Sequence, residues 1–205
     1  MGPDIACATS ILSRAMQAPT KAHVRAARTI AAYLGNTADL GIMYPAVPGI
    51  NLTAYCDASH APAEYKRRSR SGIVIFANGA PIIWSSTLQP ITTSSTAEAE
   101  YIALSDGARM LQHAINLYRE LGVTIDTPVP VYEDNQTTKR IAEEVTTKRS
   151  KYIDIRYHQV RDFVEHGIIA INYCPTADMI ADIFTKALPR DPFSTHRSRL
   201  MVKGE

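Results

Sequence analysis

Asp57, Glu100 and Asp134, with either Asp178 or Asp182, are acidic side chains set where the chain otherwise builds apolar elements. Asp57 closes the run "LTAYCDA", Glu100 falls in the first two turns of "TAEAEYIALSDGARMLQHAINLYRE", Asp134 closes "VPVYED", and Asp178 and Asp182 both lie in "TADMIADIFTKAL". Strand ends and a helix start can converge on one edge of a sheet. Carboxylates gathered there repel one another and stay charged only where water or a cation neutralises them. Oxygen ligands with open positions suit Mg²⁺ or Mn²⁺ rather than zinc, and a pair of such ions can clamp an in-line phosphoryl displacement.

Each acid also has a bland use. Asp57 could simply begin a turn, a position Asp favours, and Asp134 could cap a following helix. Glu98 competes with Glu100, but Ser95 and Glu98 form the S-x-x-E pattern of a capping box, which gives Glu98 a local task and leaves Glu100 free. Glu133 and Asp134 are neighbours on a strand, so alternation sends them to opposite faces, and Asp134 is the one expected at the site. If Thr176 caps the last helix, Asp178 falls in its first turn and is stabilised by the helix dipole without a metal. Asp182, among Met179, Ile180, Ile183 and Phe184, is costly there unless it meets solvent or a cation.

The elements that must position these residues are legible as period and punctuation. "LTAYCDA", "SGIVIFA" and "APIIWSS" read as three strands, the last two joined by Asn78-Gly79, a tight-hairpin signal. Residues 94–122 carry Leu104, Ala108, Leu111, Ile115 and Tyr118 on one helical stripe and stop at Gly122. The pattern then alternates: strand "VPVYED", helix "NQTTKRIAEEV", helix "IDIRYHQVRDFVEHG", strand "IIAINYC" and a helix over 176–188. Three strands followed by alternating helix and strand predict an α/β fold with a five-stranded mixed sheet flanked by helices. Ahead of it, residues 4–34 predict a helical hairpin broken at Pro19 and Thr20, and "GNTADLGIMYPAVPGIN" reads as a linker. The tail "RDPFSTHRSRLMVKGE" is polar and basic and reads as a short helix or disordered chain.

Composition narrows the class without naming a partner. The chain has 205 residues, 45% hydrophobic and 20% charged, the profile of a globular protein, and its net charge of +2 is too mild to demonstrate a nucleic-acid partner. Three widely spaced cysteines without a C-x-x-C pair suggest neither a disulfide framework nor a zinc site, so a reducing intracellular setting is expected. Neither a signal segment nor a membrane-length apolar run stands out, so no membrane partner is expected.

The stretches "YCDASHAPAEYKRRSRSGIVIFANGAPIIWSS", "SSTAEAEYIALS", "VYEDNQTTKRIA", "KYIDIRYHQVRDFV" and "PTADMIADIFTKALP", in this order, resemble the ribonuclease H domain of copia-type retrotransposon polyproteins. The resemblance spans residues 44–190 and implies a ribonuclease H-like fold. Residues 1–43 resemble the polymerase-proximal thumb or connection region, and 191–205 form the tail. It also implies that Asp57, Glu100, Asp134 and Asp182 bind two Mg²⁺ or Mn²⁺ ions and that the chain hydrolyses the RNA strand of RNA–DNA hybrids, leaving a 5′-phosphate. The polymerase part of the same polyprotein is then a natural partner. "YIDI" at 152–155 has one aspartate and no upstream palm, so no DNA synthesis is expected from this chain. Cellular ribonucleases H carry a histidine before the last helix, where this chain reads "CPTAD"; His158 could substitute only if its helix approaches the site.

Candidate substrate contacts are Lys66, Arg67, Arg68 and Arg70 in "YKRRSRS", and Ser94, Ser95 and Thr96 at a helix start, where free amides and hydroxyls suit phosphate or a 2′-hydroxyl. Lys148, Arg149 and Lys151 form a second basic cluster, while Trp84 and Cys56 read as core. Two rival functions remain: a nucleic-acid-binding remnant without turnover, and a supporting module in which the acids are not clustered. An integrase-type transferase would place its glutamate on a late helix, unlike Glu100.

Overall fold

The computed structural model describes residues 2–59, 68–93, 95–135 and 151–204. Its main sheet has five strands: β2 (Leu52–Ser59), β3 (Arg70–Ala77), β4 (Ala80–Leu88), β5 (Val129–Glu133) and β6 (Ile169–Tyr173), in the order β4-β3-β2-β5-β6. The pairs β2–β3 and β3–β4 are antiparallel, and β2–β5 and β5–β6 are parallel. This is the mixed sheet the pattern predicts. Asn78 and Gly79 both have positive φ, 52° and 81°, the backbone of a turn whose twist matches its flanking strands.

Strand alternation divides the core in two. Ala54, Cys56, Ile73, Ile75 and Val131 face the long helix α3 (Thr96–Glu120) and pack on its Leu104, Ala108, Leu111 and Ile115. Helix α4 (Lys151–Glu165) joins this side through Val160. Val74 and Phe76 point the other way, onto Ala6 of α1 (Ala6–Ser13), Ile183 and Phe184 of α5 (Asp182–Thr185) and Leu200 of α6 (Arg190–Leu200).

The amino-terminal hairpin forms as expected. A 3-10 turn (Pro3–Ile5) and α1 precede α2 (Lys21–Asn36), whose cap is Thr20: its Oγ1 accepts from the His23 amide, and its own amide donates to His23 Nδ1 at 3.0 Å. The linker contains β1 (Leu40–Gly41), which pairs antiparallel with β7 (Val202–Lys203), backed by a 3.1 Å Lys203–Asp39 ion pair. The tail is therefore ordered as helix and strand, because Leu200 and His196 are buried.

One expectation changes. The single helix over 176–188 is broken: a 3-10 turn (Thr176–Asp178) ends at Met179, whose φ of −71° and ψ of 90° leave the helical region, and α5 begins only at Asp182. The expected helix over 135–145 lies outside the described residues, apart from its first residue.

Candidate metal centre

The parallel register of β2 and β5 sets the geometry. Tyr55 pairs with Tyr132, so Asp57 and Asp134, each two residues further along, arrive level at the carboxyl ends of their strands. Glu100 reaches the same edge from the opposite face of the sheet. Gly107, two turns after it, lets α3 lie against β2, since a Cβ there would stand 2.2 Å from Cys56 Sγ. One oxygen each from Asp57, Glu100 and Asp134 then lies within 4.8 Å of the others.

Each acid is held by a specific donor. Thr185 Oγ1 donates to Asp57 Oδ2 at 2.8 Å, the Ala58 amide to Glu100 Oε2 at 2.7 Å, and Thr176 Oγ1 to Asp134 Oδ2 at 3.0 Å. Thr185 can do so because α5 closes on β3 at Gly72, where a Cβ would meet the Ala181 carbonyl at 2.6 Å. Asp182, 6% exposed, lies beside Asp57 and pairs with Lys186 Nζ at 2.6 Å. It stands outside the trio that can share one cation, but it belongs to the same acidic cluster. Asp178 is exposed, and its carbonyl accepts from Arg199 Nη1 at 2.7 Å.

Electrostatics follow from this crowding. Burial, and then the Asp182 carboxylate, pushes Asp57 up to about 7, against the pull of Thr185 and Lys186. Burial, and then Asp57 and Asp134, pushes Glu100 up to about 9. Burial would lower the Lys186 ammonium, but Asp182, Asp57 and Asp134 together raise it. A set of buried oxygen donors that cannot all ionise unaided fits a hard divalent cation.

Glu133 is the residue sequence reasoning set aside. It does point to the opposite face from Asp134, but that face is the one from which Glu100 enters, and the two glutamates lie within hydrogen-bond reach. A glutamate where Val129 and Val131 set an apolar alternation was the available signal. Thr185 was likewise passed over inside "DIFTK".

The expected substrate contacts divide. Arg70 is 5% exposed, and its Nη1 donates to Ser10 Oγ at 2.6 Å and to Ser86, so it is a buried brace between α1 and β4 rather than a surface cation. Arg68 is half-buried and donates through Nε to the Gln89 carbonyl at 2.6 Å. Gln89 in turn donates to the Ala99 carbonyl at 2.8 Å, which ties this strand end to the first turn of α3. Ser95 caps α3 by accepting from the Glu98 amide at 3.2 Å, and Thr96 is exposed. Lys66, Arg67, Ser94, Lys148 and Arg149 lie outside the described residues. His158 is exposed on α4, and Trp84 packs at the edge of the α1–α5 core.

No model of a known protein family matches the chain. The retrovirus-related Pol polyprotein from transposon RE1 of Arabidopsis thaliana is 34% identical over 201 residues, 98% of this chain. The polyprotein from transposon RE2 of the same plant is 33% identical over 201 residues. The chain belongs to the copia-type Pol polyprotein family. It spans 14% of the length of these two relatives. Among solved structures, LC11-RNase H1 in complex with an RNA/DNA hybrid aligns over 66% of this chain and 94% of its own, at 18% identity and a TM-score of 0.48. A foamy viral protease-reverse transcriptase in complex with double-stranded DNA aligns over 83% of this chain and 25% of its own, at 16% identity and a TM-score of 0.47. The described residues form the five-stranded mixed sheet flanked by helices that the strand pattern predicts.

Proposed function

We propose that this segment of a Pol polyprotein is a divalent-metal-dependent endoribonuclease that hydrolyses the RNA strand of RNA–DNA hybrids. One observation carries the reading: three carboxylates from three separate elements, two of them buried, bring oxygens within 4.8 Å of one another. Asp57, Glu100 and Asp134 are the residues that would hold the cation, with Asp182 completing the set beside Asp57. Two Mg²⁺ or Mn²⁺ ions held by these residues would supply an activated water and offset charge on the leaving 3′ oxygen, so that a 5′-phosphate product is expected.

The chain's own part is positioning. Thr185 and the Ala58 amide occupy one oxygen of Asp57 and of Glu100 and so fix both side chains before a cation or substrate arrives. Thr176 does the same for Asp134. Arg68, Ser95 and Thr96, with Lys66, Arg67 and Ser94, are the proposed contacts to the hybrid backbone. The polymerase part of the polyprotein is the proposed partner in cis.

A labelled RNA–DNA hybrid incubated with the chain and Mg²⁺ or Mn²⁺ tests this. Cleavage of the RNA strand alone, lost in Asp57→Asn and in a chelator, is expected. Hybrid binding without cleavage by the unaltered chain would instead identify a binding remnant.

A further inference from the structure

Charge is unevenly spread over the fold. Residues 6–36, which build α1 and α2, hold Arg14, Lys21, Arg25 and Arg28 and no acidic residue, and α6 adds Arg190, Arg197 and Arg199 against Asp191. These helices thus hold seven basic residues and one acid in a chain whose 22 basic and 20 acidic residues nearly balance, so the remainder is net acidic. The two basic segments are joined: the Tyr33 and Phe193 rings meet edge-on at 6.0 Å, and Arg197 Nη1 donates to Tyr33 Oη at 3.4 Å. Further along α6, the Arg199 guanidinium lies 5.5 Å over the Tyr55 ring, and Tyr55 is two residues before Asp57 on one strand face.

The cations of α2 are placed against the helix that carries them. Lys21 is its first residue, at the positive end of the dipole, while the last turn, where cations are favoured, has none. Lys21, Arg25 and Arg28 stand at i, i+4 and i+7 on one stripe, where like charges repel. All three are exposed, and none pairs with an acid among the described residues. Packing does not require them either, since no residue of α2 is buried. A polyanion lying along the stripe would offset both costs. Three cations over about 10 Å of helix match one nucleic-acid strand, which carries a phosphate for about every 3.4 Å of duplex axis.

We propose that α2, continued by α6, is a further, sequence-independent surface for duplex nucleic acid, with Lys21, Arg25 and Arg28 on the phosphates of one strand. It holds duplex that extends beyond the metal centre. The inference rests on the proposed function for the identity of the polyanion.

The test is fluorescence anisotropy of the whole chain in a chelator, with labelled RNA–DNA hybrids of about 10 and about 30 base pairs, over about 50–200 mM salt. The unaltered chain should bind the longer hybrid more tightly and with the steeper salt dependence. Lys21→Ala, Arg25→Ala and Arg28→Ala together should remove most of that advantage and reduce the slope of log K on log salt by about 2–3, while melting no lower. Arg25→Lys with Arg28→Lys keeps the charges and should keep the slope. An unchanged slope in the triple variant, or an equal loss in the lysine variant, would overturn the inference. So would triple-variant loss of binding to phosphatidylserine vesicles with hybrid binding unmoved, which would assign the surface to a membrane. Binding in a chelator is read independently of cleavage: a chain that cleaves hybrids but shows no slope change loses this inference alone. A chain that binds neither hybrid loses both readings.

Discussion

At the scale of single residues, the acid at position 182 and the arginine at position 70 show how burial assigns roles. Asp182 sits against Asp57 with Lys186 as its counter-ion, whereas Asp178 faces solvent. Asp182→Asn is therefore expected to reduce Mg²⁺-dependent hybrid cleavage by about 100-fold or more, on the scale of removing a group that stabilises transition-state charge. Asp178→Asn should stay within about threefold of the unaltered rate, since exposed changes away from such features are nearly neutral. A cleavage assay giving the reverse ranking would mean that α5 does not deliver Asp182 to the centre. Arg70→Ala should act through the fold instead. Its guanidinium bonds to Ser10 and Ser86, and truncation takes the donor from those half-buried acceptors, at roughly 1 kcal/mol. Denaturant unfolding should show that loss, while the salt dependence of hybrid binding is expected to stay unchanged because the Arg70 guanidinium is buried against Ser10 and Ser86.

At the scale of elements, the centre depends on close approaches that glycines permit. Gly107→Ala would drive a Cβ into Cys56 Sγ and lift α3, the helix that carries Glu100, off β2. A loss of roughly 1–3 kcal/mol is expected by thermal or chemical unfolding, as for other overpacked cores, with weaker metal binding alongside. Adding Cys56→Ala removes the obstructing sulfur and should return most of both; a double variant no better than the single one would locate the strain elsewhere. Much of this architecture was legible in the sequence, because its signals were periodic. Alternation gave β2, β3 and β4, the Asn78-Gly79 dipeptide gave their turn, and the stripe from Leu104 to Tyr118 gave α3. What stayed hidden depended on contacts between distant segments. The helix expected over 176–188 breaks at Met179 because that side chain is drawn into a cluster with Cys174 and Ala181. Glu133 was set aside because alternation describes one strand, while the approach of Glu100 from α3 is a tertiary fact.

At the scale of the molecule, two couplings run beyond any one element. The first ties residues 5–7, 40–41 and 200–203 to the main sheet and to one another. Ile5, Ala6 and Cys7 are buried, Ala6 shares a core with Val74 and Leu200, and β1 pairs with β7. Deleting residues 1–43 should therefore cost roughly 3 kcal/mol or more in denaturant unfolding, on area burial alone, rather than release an intact domain. The second coupling links stability, protons and metal. Asp57 and Glu100 have folded values of about 7 and about 9 against ordinary values of 3.8 and 4.5. Between those limits the folded chain holds protons that the unfolded chain has released, so the metal-free protein should lose stability as pH rises from about 4.5 toward about 9 and level off above. A divalent cation binds the ionised carboxylates of the folded state, and its contribution grows over the same interval as protons cease to compete. Chemical unfolding at pH 5, 7 and 9, with Mg²⁺ and with a chelator, should give two curves that diverge as pH rises. Glu100→Gln should flatten the chelator curve and close most of the gap, because it removes both the displaced proton and the ligand. Parallel curves for the unaltered chain would show that these carboxylates are buried for packing alone and exchange no protons for a cation.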